Sequence, residues 1–81
     1  MSRTLTSPRH KALTSYLIEQ RRKAKLTQAQ VARKLRRYQS FVATVESGQR
    51  RIDLIEFLEF ADAIGFDPVA AIKALASHKT R

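Results

Sequence analysis

The chain has 81 residues, a net charge of +9 and no cysteine. That length allows one small domain with a thin core, and the missing cysteine excludes disulfides and thiolate metal sites. No apolar run approaches the ~18 residues that span a bilayer, and Met1 to Pro8 lacks the apolar core of a signal peptide, so a cytoplasmic protein is expected.

The charge is unevenly placed. Residues 1–45 carry eleven Lys and Arg against one acid, Glu19, whereas residues 46–81 carry five against six. A basic half beside a near-neutral half suggests a surface that faces a polyanion and a separate packing region. Nucleic acid and an anionic membrane surface both satisfy that charge. The two histidines, His10 and His78, stand near opposite ends, where solvent-facing polar roles are expected and no metal site.

Five helices are predicted, and no strand. Residues 1–7 read as a flexible arm, 8–76 as one domain and 77–81 as a flexible basic tail. Helix one starts at Ser7-Pro8, a side-chain cap followed by a residue suited to the first helical position. Ala12, Leu13, Tyr16, Leu17 and Ala24 make its apolar stripe, and Arg21, Arg22, Lys23 and Lys25 crowd its end, favourably for the helix dipole.

Thr27 and Gln30 have the spacing of a capping box and open helix two, whose apolar residues are Ala29, Val31, Ala32 and Leu35. Helix three covers Gln39 to Glu46, with Phe41, Val42 and Val45 inward, and ends near Gly48. Asp53 and Glu56 repeat the box at helix four. There Leu54, Ile55, Phe57, Leu58, Ala61 and Ile64 form a broad apolar face, and Gly65 closes the helix. Glu56, Glu59 and Asp62 fall at helical spacing on its outer side and read as a solvated face. The aromatics Phe57, Phe60 and Phe66 read as core or interface. Helix five has Asp67 as cap and Pro68 at its first position, followed by Val69, Ala70, Ile72, Ala74 and Leu75.

The window from Gln28 to Val45 carries the functional signal. Two short helices that cross steeply need a small residue where their backbones approach, and Ala32 sits there. Val31, Leu35, Val42 and Val45 anchor the pair to the core. The remaining face of helix three bears Gln39, Ser40, Ala43 and Thr44, short or amide side chains that suit base edges.

These residues resemble the Cro/C1-type (XRE) helix-turn-helix family of bacterial and phage regulators. The similarity runs through Leu26-Thr27-Gln28-Ala29-Gln30-Val31-Ala32-Arg33-Lys34-Leu35, Gln39-Ser40-Phe41-Val42 and Glu46-Ser47-Gly48-Gln49-Arg50-Arg51, and covers about Ala12 to Leu75. It implies an all-α fold, a lambda-repressor-like bundle of five short helices. By matching position, Gln28 would meet a phosphate and brace the next glutamine, and Gln39 would pair with adenine. Ser40 would reach a phosphate or base, and Glu46 would be structural. Base reading is therefore expected from Gln39, Ser40, Thr44, Ala43 and Phe41. Phosphate contact is expected from Gln28, Arg50, Arg51, Arg33, Lys25 and Arg37. One departure stands out: Arg36 occupies a turn position where the family carries glycine, at a cost on the order of 1 kcal/mol if it takes positive φ. Tyr38 replaces the usual capping residue.

The function implied is a dimeric transcriptional regulator, a repressor, on a near-palindromic site in bacterial or phage DNA. Phe66, Val69, Ile72 and Leu75 are the expected homodimer surface. An antitoxin, a restriction-modification controller and a protein-interaction module stay open as alternatives with a protein partner. With no histidine–acid–nucleophile set and no Gly-rich phosphate loop, neither enzymatic activity nor a cofactor is expected.

Overall fold

The Ser7 hydroxyl accepts from the His10 amide at 3.0 Å, and Pro8 follows as the first helical residue, so the chain enters its first helix where local chemistry dictates. The structure is a computed structural model and describes residues 7–78. The helices are α1 (Pro8–Lys23), α2 (Gln28–Leu35), α3 (Gln39–Glu46), α4 (Leu54–Ile64) and α5 (Pro68–Ala76). The fold is all-α. Residues 1–6 of the expected arm and 79–81 of the expected tail lie outside the described residues. Ser77 and His78 are described: Arg9 donates to the carbonyls of His78, at 2.6 and 2.9 Å, and Ala76, at 3.4 Å.

Both predicted capping boxes form. Thr27 and Gln30 exchange side-chain and backbone hydrogen bonds at the start of α2, and Asp53 and Glu56 do so at α4. Asp67 accepts from the Val69 amide at the start of α5. The ends of the first four helices share one device. A residue with φ between 58° and 97° turns the chain, and the amide after it returns to a carbonyl five residues back. Gly48 and Gly65 serve α3 and α4, as glycine does readily. Lys25 and Arg36 serve α1 and α2, so the irregular turn is built with Arg36 itself left-handed.

The core is Leu17, Val31, Ala32, Val42, Val45, Phe60 and Ile64, ringed by Leu13, Leu26, Leu35, Phe41, Ile52 and Phe66. α2 packs against α3 and α4, and α1 against α3, α4 and α5. Ala32 is buried in this packing, where a larger side chain would meet neighbouring helices.

Two expectations need correction. His10 is buried, not solvent-facing, because it lies on the inward side of α1's first turn, in a hollow with Leu13, Ile52 and Leu75. Its Nε2 has no hydrogen-bond partner among the described residues. The apolar face of α4 is narrower than predicted: Phe57, Phe60, Ala61 and Ile64 are buried, while Leu54, Ile55 and Leu58 are exposed, since one stripe suffices to contact α2, α1 and α5. In α5 the buried residue is Ala71, and Val69 and Ile72 face outward.

Candidate nucleic-acid interface

α2 and α3 are joined by only Arg36, Arg37 and Tyr38. The left-handed Arg36 reverses the chain, and Tyr38 enters α3 in extended conformation without capping it by its side chain. Tyr38 is 87 % exposed. Val42 and Val45 seat α3 on the core, which leaves Gln39 and Ser40 exposed and Ala43 and Thr44 half-buried along its outer side. Thr44 directs its hydroxyl back to its own helix, within 2.7 Å of the Ser40 carbonyl and 3.0 Å of the Phe41 carbonyl.

Behind that face lies a buried strut. Arg21 of α1 grips Glu46 of α3 through Nε at 2.7 Å and Nη2 at 3.0 Å, and its Nη1 donates to the Leu26 carbonyl at 2.9 Å. Glu46 is only 7 % exposed. Gln28 Nε2 donates to Glu46 Oε1 at 2.9 Å, and Gln39 Nε2 approaches Gln28 Oε1 at 3.4 Å. The chain Arg21–Glu46–Gln28–Gln39 thus runs from the first helix to the outer face of α3. Gln28 is half-buried, with its carbonyl and amide ends both engaged.

A second cluster lies on the other side of α3. Arg37 sits 3.7 Å from the centre of the Phe41 ring and Arg50 sits 4.8 Å from it. Phe41 also leans on Phe60 at 6.0 Å. Arg50 makes a two-point pair with Glu56, both contacts at 3.1 Å, and donates to the Arg51 carbonyl at 2.7 Å. Arg37 stands 3.6 Å from the same carboxylate. Glu56 is therefore no part of a solvated face. It lies under two guanidiniums because the segment after α3 folds Arg50 back over the start of α4. Hydrogen bonds from Arg50 and from the Asp53 backbone hold its pKa below the ordinary 4.5. Sequence spacing could not reveal this pair, which joins the turn, the loop and α4.

Arg36, Arg37, Tyr38, Ser40, Phe41, Thr44 and Arg50 border an open groove of about 630 Å³. Lys25, Arg33 and Arg51 are exposed and make no ion pair among the described residues. Of the residues expected at a dimer surface, Val69 and Ile72 are exposed. Phe66 instead packs edge-on against Tyr16 at 5.4 Å and against Phe57 at 5.8 Å, and Leu75 is half-buried against α1.

Two short helices, a three-residue turn and a core-seated second helix with a polar outer face define a helix-turn-helix. A family model described as a helix-turn-helix domain matches residues 12–74. The solved structure of an XRE-family like protein from Pseudomonas syringae pv. tomato str. DC3000 is 43 % identical, covering 85 % of this chain and 84 % of its own, with a TM-score of 0.81. No match is found among curated proteins. The chain belongs to the helix-turn-helix family, of the XRE type, and is by that membership a DNA-binding regulator. No helix among the described residues is long and apolar enough to cross a membrane.

Proposed function

We propose that the protein is a cytoplasmic repressor that binds a near-palindromic site as a homodimer and reads sequence with α3. The observation that carries this reading is the outer side of α3: Gln39 and Ser40 project into solvent while Val42 and Val45 fix the helix from behind. A glutamine amide at the start of a reading helix matches the donor–acceptor pair of adenine N6 and N7. Gln28, through its contact with Gln39, restricts where that amide points, which lowers the entropic cost of binding. Ser40, Ala43 and Thr44 complete the reading surface. Thr44 contributes shape more than a free donor, because its hydroxyl is already engaged within the helix. Phe41 acts from beneath, as the platform that holds Arg37 and Arg50.

Phosphate contacts come from Arg37, Arg50, Arg51, Arg33, Lys25 and Gln28, and their cations make affinity fall steeply with salt. Val69 and Ile72, supported by Phe66 and Leu75, supply the twofold contact. Such a dimer would set two reading helices about 34 Å apart along the duplex.

Selection of bound duplexes from a random pool tests the reading. A palindromic consensus with half-sites one helical turn apart is the expected return. Gln39→Ala should then lose about 1–3 kcal/mol on the selected site and relax preference at one base. An unchanged base preference would remove Gln39 from the reading set, and a consensus without twofold symmetry would remove the dimer.

A further inference from the structure

Arg37 and Arg50 flank the reading helix, and both end on one internal anion. The Arg50–Glu56 contact is bidentate, the same two-point arrangement a guanidinium offers a phosphodiester. Glu56 is held rigidly. Its Oε1 also accepts from the Asp53 amide, its own amide donates to Asp53, and its side chain is 15 % exposed. The arginines differ: Arg50 is 42 % exposed and Arg37 39 %, so a second anion can approach them from solvent. The carboxylate stays ionised at neutral pH, because its hydrogen bonds favour the charged form.

We infer that Glu56 is an intramolecular competitor for the phosphate backbone, occupying Arg50 and Arg37 in the free protein so that a nucleic acid must displace it to engage them. The inference rests on the phosphate-contact reading above and gives it a regulator. Displacing Glu56 breaks the same ion pairs whatever the base sequence. Its carboxylate therefore lowers affinity for every polyanion, and sets how weakly the protein holds non-cognate DNA.

Glu56→Gln separates charge from fold. Glutamine at this helical position closes a capping box as glutamate does, so α4 keeps its start while the anion is removed. The 81-residue chain and this variant are titrated with heparin, a polyanion without bases, and with a random-sequence duplex. The variant should bind both about fivefold more tightly, the size of one partly exposed ion pair, and its salt slope should steepen by about one. Adding Arg50→Ala should remove most of the gain. Tighter heparin binding with no duplex retained by either chain would support the role of Glu56 and overturn the DNA-contact reading. Duplex binding by the parent with no gain in the variant would do the reverse. No gain on either polyanion and no duplex binding would overturn both. A gain that survives Arg50→Ala undiminished would reduce Glu56 to a general charge effect and also overturn the inference. In the parent chain itself, the Arg50 Nε–H resonance should move as heparin is added. A signal that stays at its free-protein position at saturation would show that no displacement occurs.

Discussion

Two glutamates bracket α3, and each takes a two-point grip from an arginine. Glu46 does so at 2.7 and 3.0 Å and Glu56 at 3.1 and 3.1 Å. Their surroundings differ more than their geometry. Arg21 and Glu46 are nearly enclosed, and each takes a further hydrogen bond, Arg21 to the Leu26 carbonyl and Glu46 from Gln28. Glu56 is covered, but its arginines reach water. The same chemistry therefore makes a fixed strut on one side of α3 and a releasable clasp on the other. Burial, not bond length, separates structural from exchangeable charge.

The difference is testable first through stability. Glu46→Ala strands a buried guanidinium and should lower unfolding free energy by about 3–5 kcal/mol in chemical denaturation, whereas Glu56→Ala should lower it by about 1 kcal/mol. Equal losses would erase the distinction. The helix ends sharpen it next. Gly65→Ala forces a side chain into the left-handed region and should cost about 1 kcal/mol, while Arg36→Gly relieves one there and should raise stability by about 0.5–1 kcal/mol. If Arg36→Gly also loosened the Arg37–Phe41 contact, seen as a shift of the Phe41 ring signals, the outer clasp would depend on this turn.

Acid titration gives the smallest effect. The pKa of Glu56 is lowered in the folded chain, so its contribution is complete above the ordinary 4.5 and is lost as pH falls through the lower folded value. The stability difference between the parent and Glu56→Gln should be constant from pH 7 to about 5 and shrink below 4.5. A difference that already shrank near pH 6 would contradict the direction of that shift.

Local chemistry made much of the fold legible. Ser7-Pro8, Thr27 with Gln30, Asp53 with Glu56, and Asp67-Pro68 each place a helix start within a few residues, because caps are satisfied by near neighbours. Gln39 to Glu46 has no side-chain cap at its start, and locally only its end, near Gly48, was marked. What escaped depended on distant contacts. His10 looked peripheral by position and is covered through Ile52 and Leu75. Glu56 looked like one charge of an outer row until Arg50 folded back on it. The strain at Arg36 was visible as a missing glycine, but its resolution was not, since an arginine in that turn could equally have changed the turn. Lys25 gave no such sign, although it adopts the same conformation.

The grip of Arg9 on the carbonyls of Ala76 and His78 spans 67 and 69 positions of the chain. Its partners are the last described residues to leave a ribosome. α1 can form early, and α2 and α3 can settle on it, but Arg9 in its first turn cannot reach these carbonyls until the end of α5 has emerged. During synthesis, then, α3 is framed before the bundle is closed, and Arg9 completes a ring that the nascent chain must carry unfastened almost to residue 78.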